Sequence, residues 1–210
     1  ETAVAAGYSN NANGQNSVAI GSENISRVAN TITMGYKNDA KTMGGIAIGK
    51  NNMVDSTNGG TNFAQTRDEN SQIAIGRDNT ATHLDTIAIG RDTHATGSGA
   101  TAFGARADAS GNNSIAIGQS GKDSDRVVAS GVNAIAIGMQ SQATGESAIA
   151  EGPGSRAGGK YGVALGRTTK ANAEAATALG NAAEANIANG VALGSSSVTT
   201  TDKGVVGYNP

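Results

Sequence analysis

Short runs in which large and small apolar residues alternate recur along the whole chain. The commonest form, Ile/Val-Ala-Ile/Leu-Gly, ends at Gly21, Gly49, Gly76, Gly90, Gly118, Gly138, Gly166 and Gly194, and looser forms end at Gly7, Gly35, Gly104, Gly152, Gly180 and Gly207. Ten of the thirteen intervals between these repeat glycines are 14 residues long. Alternation with a period of two and many β-branched residues are typical of β-strands. Each 14-residue repeat is therefore predicted to contain a short strand that ends near its glycine.

A second small residue, usually Ala, follows the repeat glycine at a distance of five residues, as at Ala81, Ala95 and Ala109. Asn, Asp, Ser and Gly, which favour turns, fill the segments between. Repeats of 14 residues are too short to bury a core of their own. Stacked in parallel, they pair with their neighbours about 4.8 Å above and below. The sequence predicts an all-β fold, a parallel β-roll or β-solenoid of about fourteen rungs.

The direction of the side chains has two interpretations. The residue two before the repeat glycine is Ala in twelve of fourteen rungs, while the residues on either side of it, such as Val18 and Ile20, are large. Along a strand these two sets face opposite sides. The thin interior of a 14-residue coil favours Ala inside and the large residues outside. The alternative places the large residues inside.

Large residues on the outside would form a continuous apolar stripe, more than a soluble monomer normally exposes. We therefore predict an obligate oligomer in which the stripes of several copies face a shared axis. The predicted interface residues directly precede the repeat glycines: Ile20, Ile48, Ile75, Ile89, Phe103, Ile117, Ile137, Glu151, Leu165, Leu179 and Leu193. Glu151 differs from the rest, because carboxylates that meet on an axis need water, cations or protonation, unless the rung is locally open.

Composition excludes several classes of protein. With 31 Gly, two Phe, no Trp and no Cys, the chain cannot fill an ordinary globular core and has no disulfide or thiol nucleophile. A net charge of −2 argues against nucleic acid as a partner. The sequence contains neither a long apolar run nor a signal peptide, so we expect a fragment of a longer protein.

No arrangement of nucleophile, base and oxyanion donor stands out, and the only histidines, His83 and His94, occupy different places in their repeats. We therefore expect no enzyme activity, no cofactor and no metal site. Two other functions of β-solenoids are disfavoured. An acyltransferase would have hexapeptide repeats, and 14 is not a multiple of six. Ice binding would need one regular threonine ladder, which Thr80, Thr101 and Thr168 do not form.

The words NSVAIG at 16–21, NSIAIG at 113–118 and VNAIAIG at 132–138 resemble the YadA-like head of trimeric autotransporter adhesins. The resemblance implies a left-handed parallel β-roll assembled as a homotrimer on the outer membrane of Gram-negative bacteria. It also implies attachment to host extracellular matrix or cell-surface receptors, and clumping of the bacteria. On this basis we assign the head to residues 1–194, and to residues 195–210 a degenerate last rung that leads toward a neck or another module. The membrane anchor would then follow residue 210. The alternative is a structural spacer without a ligand of its own.

In that family the Asn-Ser-Val-Ala-Ile-Gly word is associated with collagen binding. The resemblance therefore makes two sets of residues candidates for ligand contact: Asn16, Ser17, Val18, Ala19, Ile20 and Gly21, and Asn113, Ser114, Ile115, Ala116, Ile117 and Gly118. The family often has Ser three residues after the glycine, where this chain has Asn24 and Gly121. The competing interpretation is that these residues only form the strand and turn of a rung and contact no ligand.

Two insertions interrupt the repeat, one near 50–72 and one within 119–130. Insertions in a solenoid emerge as loops, commonly on the binding face. The first carries Phe63 and Arg67, which makes it a candidate for contact with a partner. The alternative is a solvated loop that has no partner.

Basic residues follow three successive repeat glycines, at Lys50, Arg77 and Arg91. Stacking of the repeats would place them in one row. Asp78 and Asp92 follow the two arginines directly, so we expect each Arg-Asp pair to neutralise itself. The alternative is an anion site where such rows from several copies converge.

Overall fold

A computed structural model describes residues 2–55 and 71–200 of the chain. Within these ranges the chain winds into a parallel β-solenoid with two sheets of 13 strands each, here called sheet A and sheet B. Successive strands alternate between the sheets, so each rung contributes one strand to each. The predicted all-β solenoid with a 14-residue repeat is confirmed. The predicted rung that ends at Gly207, and Phe63 and Arg67 of the first insertion, lie outside the described residues.

Sheet A contains the first strand of every rung. Its strands are β1 Val4–Tyr8, β3 Val18–Ser22, β5 Ile32–Tyr36, β7 Ile46–Lys50, β9 Ile73–Arg77, β11 Ile87–Arg91, β13 Thr101–Ala105, β15 Ile115–Gln119, β17 Ile135–Ile137, β19 Ile149–Glu151, β21 Val163–Leu165, β23 Thr177–Leu179 and β25 Val191–Leu193. Each pairs in parallel with the strands of the rungs before and after it.

Sheet B contains the second strand of every rung, centred on the small residue that follows the glycine. Its strands are β2 Asn11–Ala12, β4 Ile25–Ser26, β6 Asp39–Ala40, β8 Met53–Asp55, β10 Thr80–Thr82, β12 His94–Ala95, β14 Ala107–Ala109, β16 Val127–Ala129, β18 Gln142–Ala143, β20 Arg156–Ala157, β22 Lys170–Ala171, β24 Glu184–Ala185 and β26 Val198–Thr199. A short 3-10 turn, Asp123–Asp125, lies in the second insertion.

The repeat glycines lie directly over one another, as the pairing of Gly76 with Gly90 and of Gly90 with Gly104 shows. In the part of the chain that the structure describes, these glycines have φ between +108° and +150°, a region that L side chains rarely adopt. A Cβ added to Gly76 would lie 1.9 Å from the carbonyl oxygen of Gly90. Close stacking of the rungs therefore requires glycine here.

The interior between the two sheets is filled almost entirely by alanine. Ala88 and Ala102 of sheet A and Ala95 and Ala109 of sheet B are fully buried. The large residues beside them point outward, and Phe103 is 52% exposed. The orientation with Ala inside is confirmed, and the reverse orientation is wrong. The reason is that the close-packed interior of so short a coil suits small side chains, mostly Ala with a few Ser, Thr and Val.

A ladder of asparagine side chains runs through the interior of the first turn, three residues after the repeat glycine. Its members are Asn10, Asn24, Asn38, Asn52 and Asn79. The Asn38 amide donates to Asn24 Oδ1 and to the Met34 carbonyl oxygen, each at 2.9 Å. Its own Oδ1 accepts from the backbone and side-chain nitrogens of Asn52. These amides, buried except for the half-buried Asn10, satisfy one another from rung to rung, and we call them the asparagine ladder.

Strands of sheet A are longer before the second insertion than after it. They have five residues up to β15 and three residues from β17 onward. In the earlier rungs the backbone N–H of the ladder residue reaches Oδ1 of the preceding asparagine, as from Asn38 to Asn24 at 3.1 Å. In later rungs the equivalent N–H of Ser141 bonds within its own rung to the Gly138 carbonyl oxygen, at 3.3 Å. The residue at this position does not by itself set the length of the strand, because Thr93 follows the five-residue β11 and Thr169 follows the three-residue β21.

Candidate functional site

The outer face of sheet A carries two parallel apolar rows, which together we call the apolar stripe. One row precedes the repeat glycine by three residues and the other by one residue. Among the described rungs only Thr101, Thr177 and Glu151 interrupt the stripe. At 13 rungs and about 4.8 Å per rung, the stripe is about 60 Å long.

All the residues predicted as an oligomer interface lie in the second row of the apolar stripe. In the single chain they are half-buried or exposed: Ile20 is 37% exposed, Leu179 43% and Leu193 68%. Glu151 lies directly between Ile137 and Leu165 of the neighbouring rungs. Its carboxylate is therefore the one charge within the apolar stripe of the described rungs.

The outer face of sheet B is different in character, because most of its outward side chains are polar or charged. Arg27 donates two hydrogen bonds to the Asp39 carboxylate, at 2.9 and 3.0 Å. Near the other end Lys170 lies 2.5 Å from Glu184, and this hydrogen bond lowers the pKa of the Glu184 carboxyl. Such exposed ion pairs add little stability. They do give this face a hydrophilic surface, in contrast to the apolar stripe of sheet A.

Both copies of the candidate collagen-binding word have the same placement in their rungs. Ser17 and Ala19 are fully buried, as are Ser114 and Ala116 in the second copy. The Oγ atoms of both serines have no hydrogen-bond partner.

The other residues of each word face outward or lie at a turn. Val18, Ile20, Ile115 and Ile117 belong to the apolar stripe, and Gly21 and Gly118 are repeat glycines. Asn16 and Asn113 are exposed, with φ of +55° and +54°, in the turn that precedes the strand. In the single chain, the buried serine and alanine of each word are closed to a ligand, and the other four residues are at least partly exposed.

The second insertion forms a loop at residues 120–126, here called the insertion loop. Arg126 at its end reaches back to Asp92, 34 residues earlier, and donates to the Asp92 carboxylate at 2.7 Å and to its backbone oxygen at 3.0 Å. Arg106 lies 3.7 Å from the same carboxylate. The loop is thus held against the first turn of two earlier rungs. Sequence periodicity gives no signal for this contact, because the insertion breaks the register.

The three basic residues Lys50, Arg77 and Arg91 lie in one row, which we call the basic row, because their Cα atoms pair directly across β7, β9 and β11. Arg77 pairs with Asp78 at 3.3 Å, as expected. The expected pairing of Arg91 with Asp92 is wrong. The Asp92 carboxylate is instead taken by Arg126 and Arg106.

The two histidines occupy different places in their rungs, since His94 lies in β12 and His83 directly follows β10. His94 Nε2 is 3.4 Å from Asp92 Oδ1, and His83 Nδ1 is buried without a hydrogen-bond partner. Over the described ranges no three His, Asp or Glu side chains converge where they could hold a metal ion. Within residues 2–55 and 71–200 no helix has the length and apolarity needed to cross a membrane.

Comparison with known families identifies the repeat. The family described as YadA head domain repeat (2 copies) matches residues 1–24, 73–93, 95–120, 129–155, 157–183 and 171–197, which is more than half of the chain. A search of curated proteins found no match. The family match and the stacked 14-residue rungs agree along the solenoid. The chain therefore belongs to the YadA head family, which indicates a role like that of the trimeric autotransporter adhesins.

Proposed function

We propose that this chain is the surface-exposed head of a trimeric autotransporter adhesin, which attaches bacteria to host cells or extracellular matrix and to one another. The observation that carries the proposal is the apolar stripe on the outer face of sheet A, in a chain of the YadA head family. The head would face outward from the bacterial outer membrane. Adhesion of this kind needs no cofactor and no catalytic group, and both the family and the fold are of a non-enzymatic kind.

The length of the apolar stripe supports assembly with sister copies. Burying an Ile or Leu side chain contributes about 2 kcal/mol, and soluble monomers rarely expose apolar patches of more than a few hundred Å². Any other copy of the chain carries an identical stripe of identical length. Three parallel copies around one axis would cover all three stripes and leave the polar outer faces of sheet B in water.

Ligand contact would then fall on the surfaces that remain outside the trimer. Asn16 and Asn113 stay candidates because they are exposed at a turn beside the strand. Residues 56–70, with Phe63 and Arg67, stay candidates as an inserted segment. We include collagen among the matrix ligands, since the word at 16–21 is intact.

A purely structural spacer is the second candidate function. It is favoured by the complete burial of Ser17 and Ala19. Packing within the rung is then enough to explain the word at 16–21 without a ligand. A spacer would assemble in the same way but bind no matrix protein.

Light scattering on the purified chain tests the assembly, and the expected mass is about three times 20.7 kDa. We expect Ile89→Asp or Ile117→Asp to abolish the trimer, because each puts three charges into the buried face. Asn58→Asp, in the first insertion, should leave it intact. Val128→Asp is a closer control, since Val128 is also half-buried but lies on the outer face of sheet B.

A binding screen against immobilised matrix proteins, collagen included, tests the adhesive role. The full chain is compared with a variant that lacks residues 56–70. Binding by the trimer that falls when the segment is removed would support an adhesin with its ligand site there. A stable trimer that binds no matrix protein and no host cell would favour the spacer.

A further inference from the structure

The basic row is a straight array of cations along the rod. Lys50, Arg77 and Arg91 each follow a repeat glycine at the end of a strand of sheet A. Direct pairing of Lys50 with Arg77 and of Arg77 with Arg91 spaces them at about 4.8 Å per rung. Three positive charges therefore lie within about 10 Å along one margin of the sheet, one step beyond the apolar stripe.

Few of these charges are neutralised by the protein. Arg77 has an ion pair with Asp78 at 3.3 Å, but the two side chains are 53% and 45% exposed, so the pair is weak. Asp92 serves Arg126 and Arg106 rather than Arg91. Within the described residues neither Lys50 nor Arg91 has an ion pair.

Packing does not explain the basic row. The same position of the repeat is occupied by Ser22, Ala105 and Gln119 in other rungs, so the rung accepts neutral side chains of different sizes there. Like charges opposite one another on neighbouring strands destabilise a sheet. A chain whose net charge is −2 thus concentrates positive charge where the contacts within the fold, the exposed Arg77–Asp78 pair and the Lys50–Tyr36 contact, are weak.

We propose that the basic row binds a linear sulfated polysaccharide laid along the rod. Arginine guanidinium groups bind tetrahedral oxyanions through paired hydrogen bonds, and a row with a constant rung spacing matches an extended chain of anions. This proposal assigns a class of ligand to the proposed adhesin. It rests on the proposed function only in assuming that the head lies outside the cell. The trimer would carry three such rows.

A neighbouring aromatic ring argues against single-stranded nucleic acid as the ligand. Binding of single strands relies on bases that stack on free aromatic rings. Tyr36, next to Lys50 in the same position of the repeat, already carries the ammonium groups of Lys37 and Lys50 at 5.1 and 5.8 Å from its ring centre. The ring is therefore engaged, and the row offers charge without a stacking platform.

The test compares two triple variants of the full chain that change the net charge equally. In the first, Lys50, Arg77 and Arg91 are each replaced by Gln. In the second, Arg156, Arg167 and Lys170 are each replaced by Gln; Arg167 occupies the same repeat position as the basic row, but its neighbours there are Pro153 and Asn181. Affinity for heparin is measured as a function of salt concentration, with desulfated heparin, single-stranded DNA and vesicles of anionic phospholipid as further arms.

We expect heparin to bind the unmodified chain at physiological salt and desulfated heparin not to bind. The first triple variant should bind heparin at least about tenfold more weakly, with a shallower salt dependence, because three ion contacts are lost. The second should stay within about twofold of the unmodified chain.

Three results would overturn the proposal: no heparin binding by the unmodified chain, equal losses in the two triple variants, or equal or tighter binding of DNA or of the vesicles. Light scattering on the same samples keeps this outcome separate from the proposed assembly. A trimer that ignores heparin contradicts only the polysaccharide site, whereas a monomer contradicts the proposed head.

Discussion

Glycine at the repeat position is fixed by two independent features of the backbone. Its positive φ disfavours any L side chain, and the carbonyl oxygen of the next rung occupies the place of a Cβ. The 14-residue spacing of glycine in the sequence is therefore a direct consequence of rung stacking. This is why the solenoid could be predicted from the sequence.

Replacing Gly76 by Ala tests this requirement. The new Cβ would lie 1.9 Å from the Gly90 oxygen at a φ of +123°, so the two rungs must separate. We expect a loss of at least about 3 kcal/mol in the free energy of unfolding, measured by chemical denaturation. Gly121→Ala is the matched control, since nothing lies within 4 Å of a Cβ there and little change is expected. Equal stability of the two variants would contradict the steric account.

The asparagine ladder was not predicted, although its signal is in the sequence. Asn recurs three residues after the glycine in five of the first rungs, at intervals of 14, 14, 14 and 27 residues. Periodicity and turn propensity predict only that these polar residues lie in turns, and turn asparagines are usually explained by their backbone conformation. The narrow first turn instead buries these amides, and each amide satisfies the next.

Removal of one ladder amide should be costly. In Asn38→Ala, the Asn52 N–H and amide and the carbonyl oxygens of Met34 and Gly49 lose a buried partner. We expect the free energy of unfolding to fall by about 3 kcal/mol, as measured by denaturation. Asn172→Ala removes only an exposed side-chain hydrogen bond to Asn186 and should cost less than about 1 kcal/mol. Similar losses of stability in both variants would mean that the buried ladder amides stabilise the fold no more than an exposed asparagine does.

At the scale of elements, regular rungs were predictable and the departures from them were not. Strand positions, parallel stacking and the inward direction of Ala follow from one repeat. The change from five-residue to three-residue strands at the second insertion is not encoded in the residue three positions after the glycine, which is Thr after both the five-residue β11 and the three-residue β21. The insertion loop packs through Arg126 onto a rung 34 residues away, which no periodicity encodes.

Loss of the Arg126 contact should loosen the insertion loop. In Arg126→Gln the Asp92 carboxylate loses its shortest ion pair, between side chains only 19% and 32% exposed. We expect faster amide hydrogen exchange in residues 120–126 and a modest loss of stability, about 1 kcal/mol. Lys122→Gln, in the same loop but without an ion pair among the described residues, should leave exchange unchanged. Unaltered exchange in Arg126→Gln would mean that the loop is held by other contacts.

At the scale of the whole molecule, the two outer faces of the solenoid differ in polarity. Sheet A turns its apolar stripe outward, and sheet B exposes mainly polar and charged residues. The sequence predicted the stripe and its members, because strand alternation assigns each residue to a side. It could not place the basic row relative to its acids, because pairing of Asp92 depends on the insertion loop.

Glu151 is the residue at which the proposed trimer should be weakest. Three carboxylates would lie among Ile137 and Leu165 of their own and sister chains, and a buried charge without a partner costs several kcal/mol. Glu151→Leu should therefore raise the melting temperature of the trimer, followed by circular dichroism at neutral pH. Glu174→Leu, at an exposed turn, should leave it nearly unchanged. A lower melting temperature for Glu151→Leu would place Glu151 away from the shared face.

Cross-linking through single cysteines tests most directly whether sister copies cover the apolar stripe. The natural chain has no cysteine, so Ile117→Cys and Val128→Cys each provide one thiol, on the outer faces of sheets A and B respectively. Each variant is treated with a short bis-maleimide at low protein concentration and analysed on a denaturing gel. Our account predicts covalently linked chains in Ile117→Cys and single chains in Val128→Cys. Single chains in both, or linkage only through Val128→Cys, would contradict it.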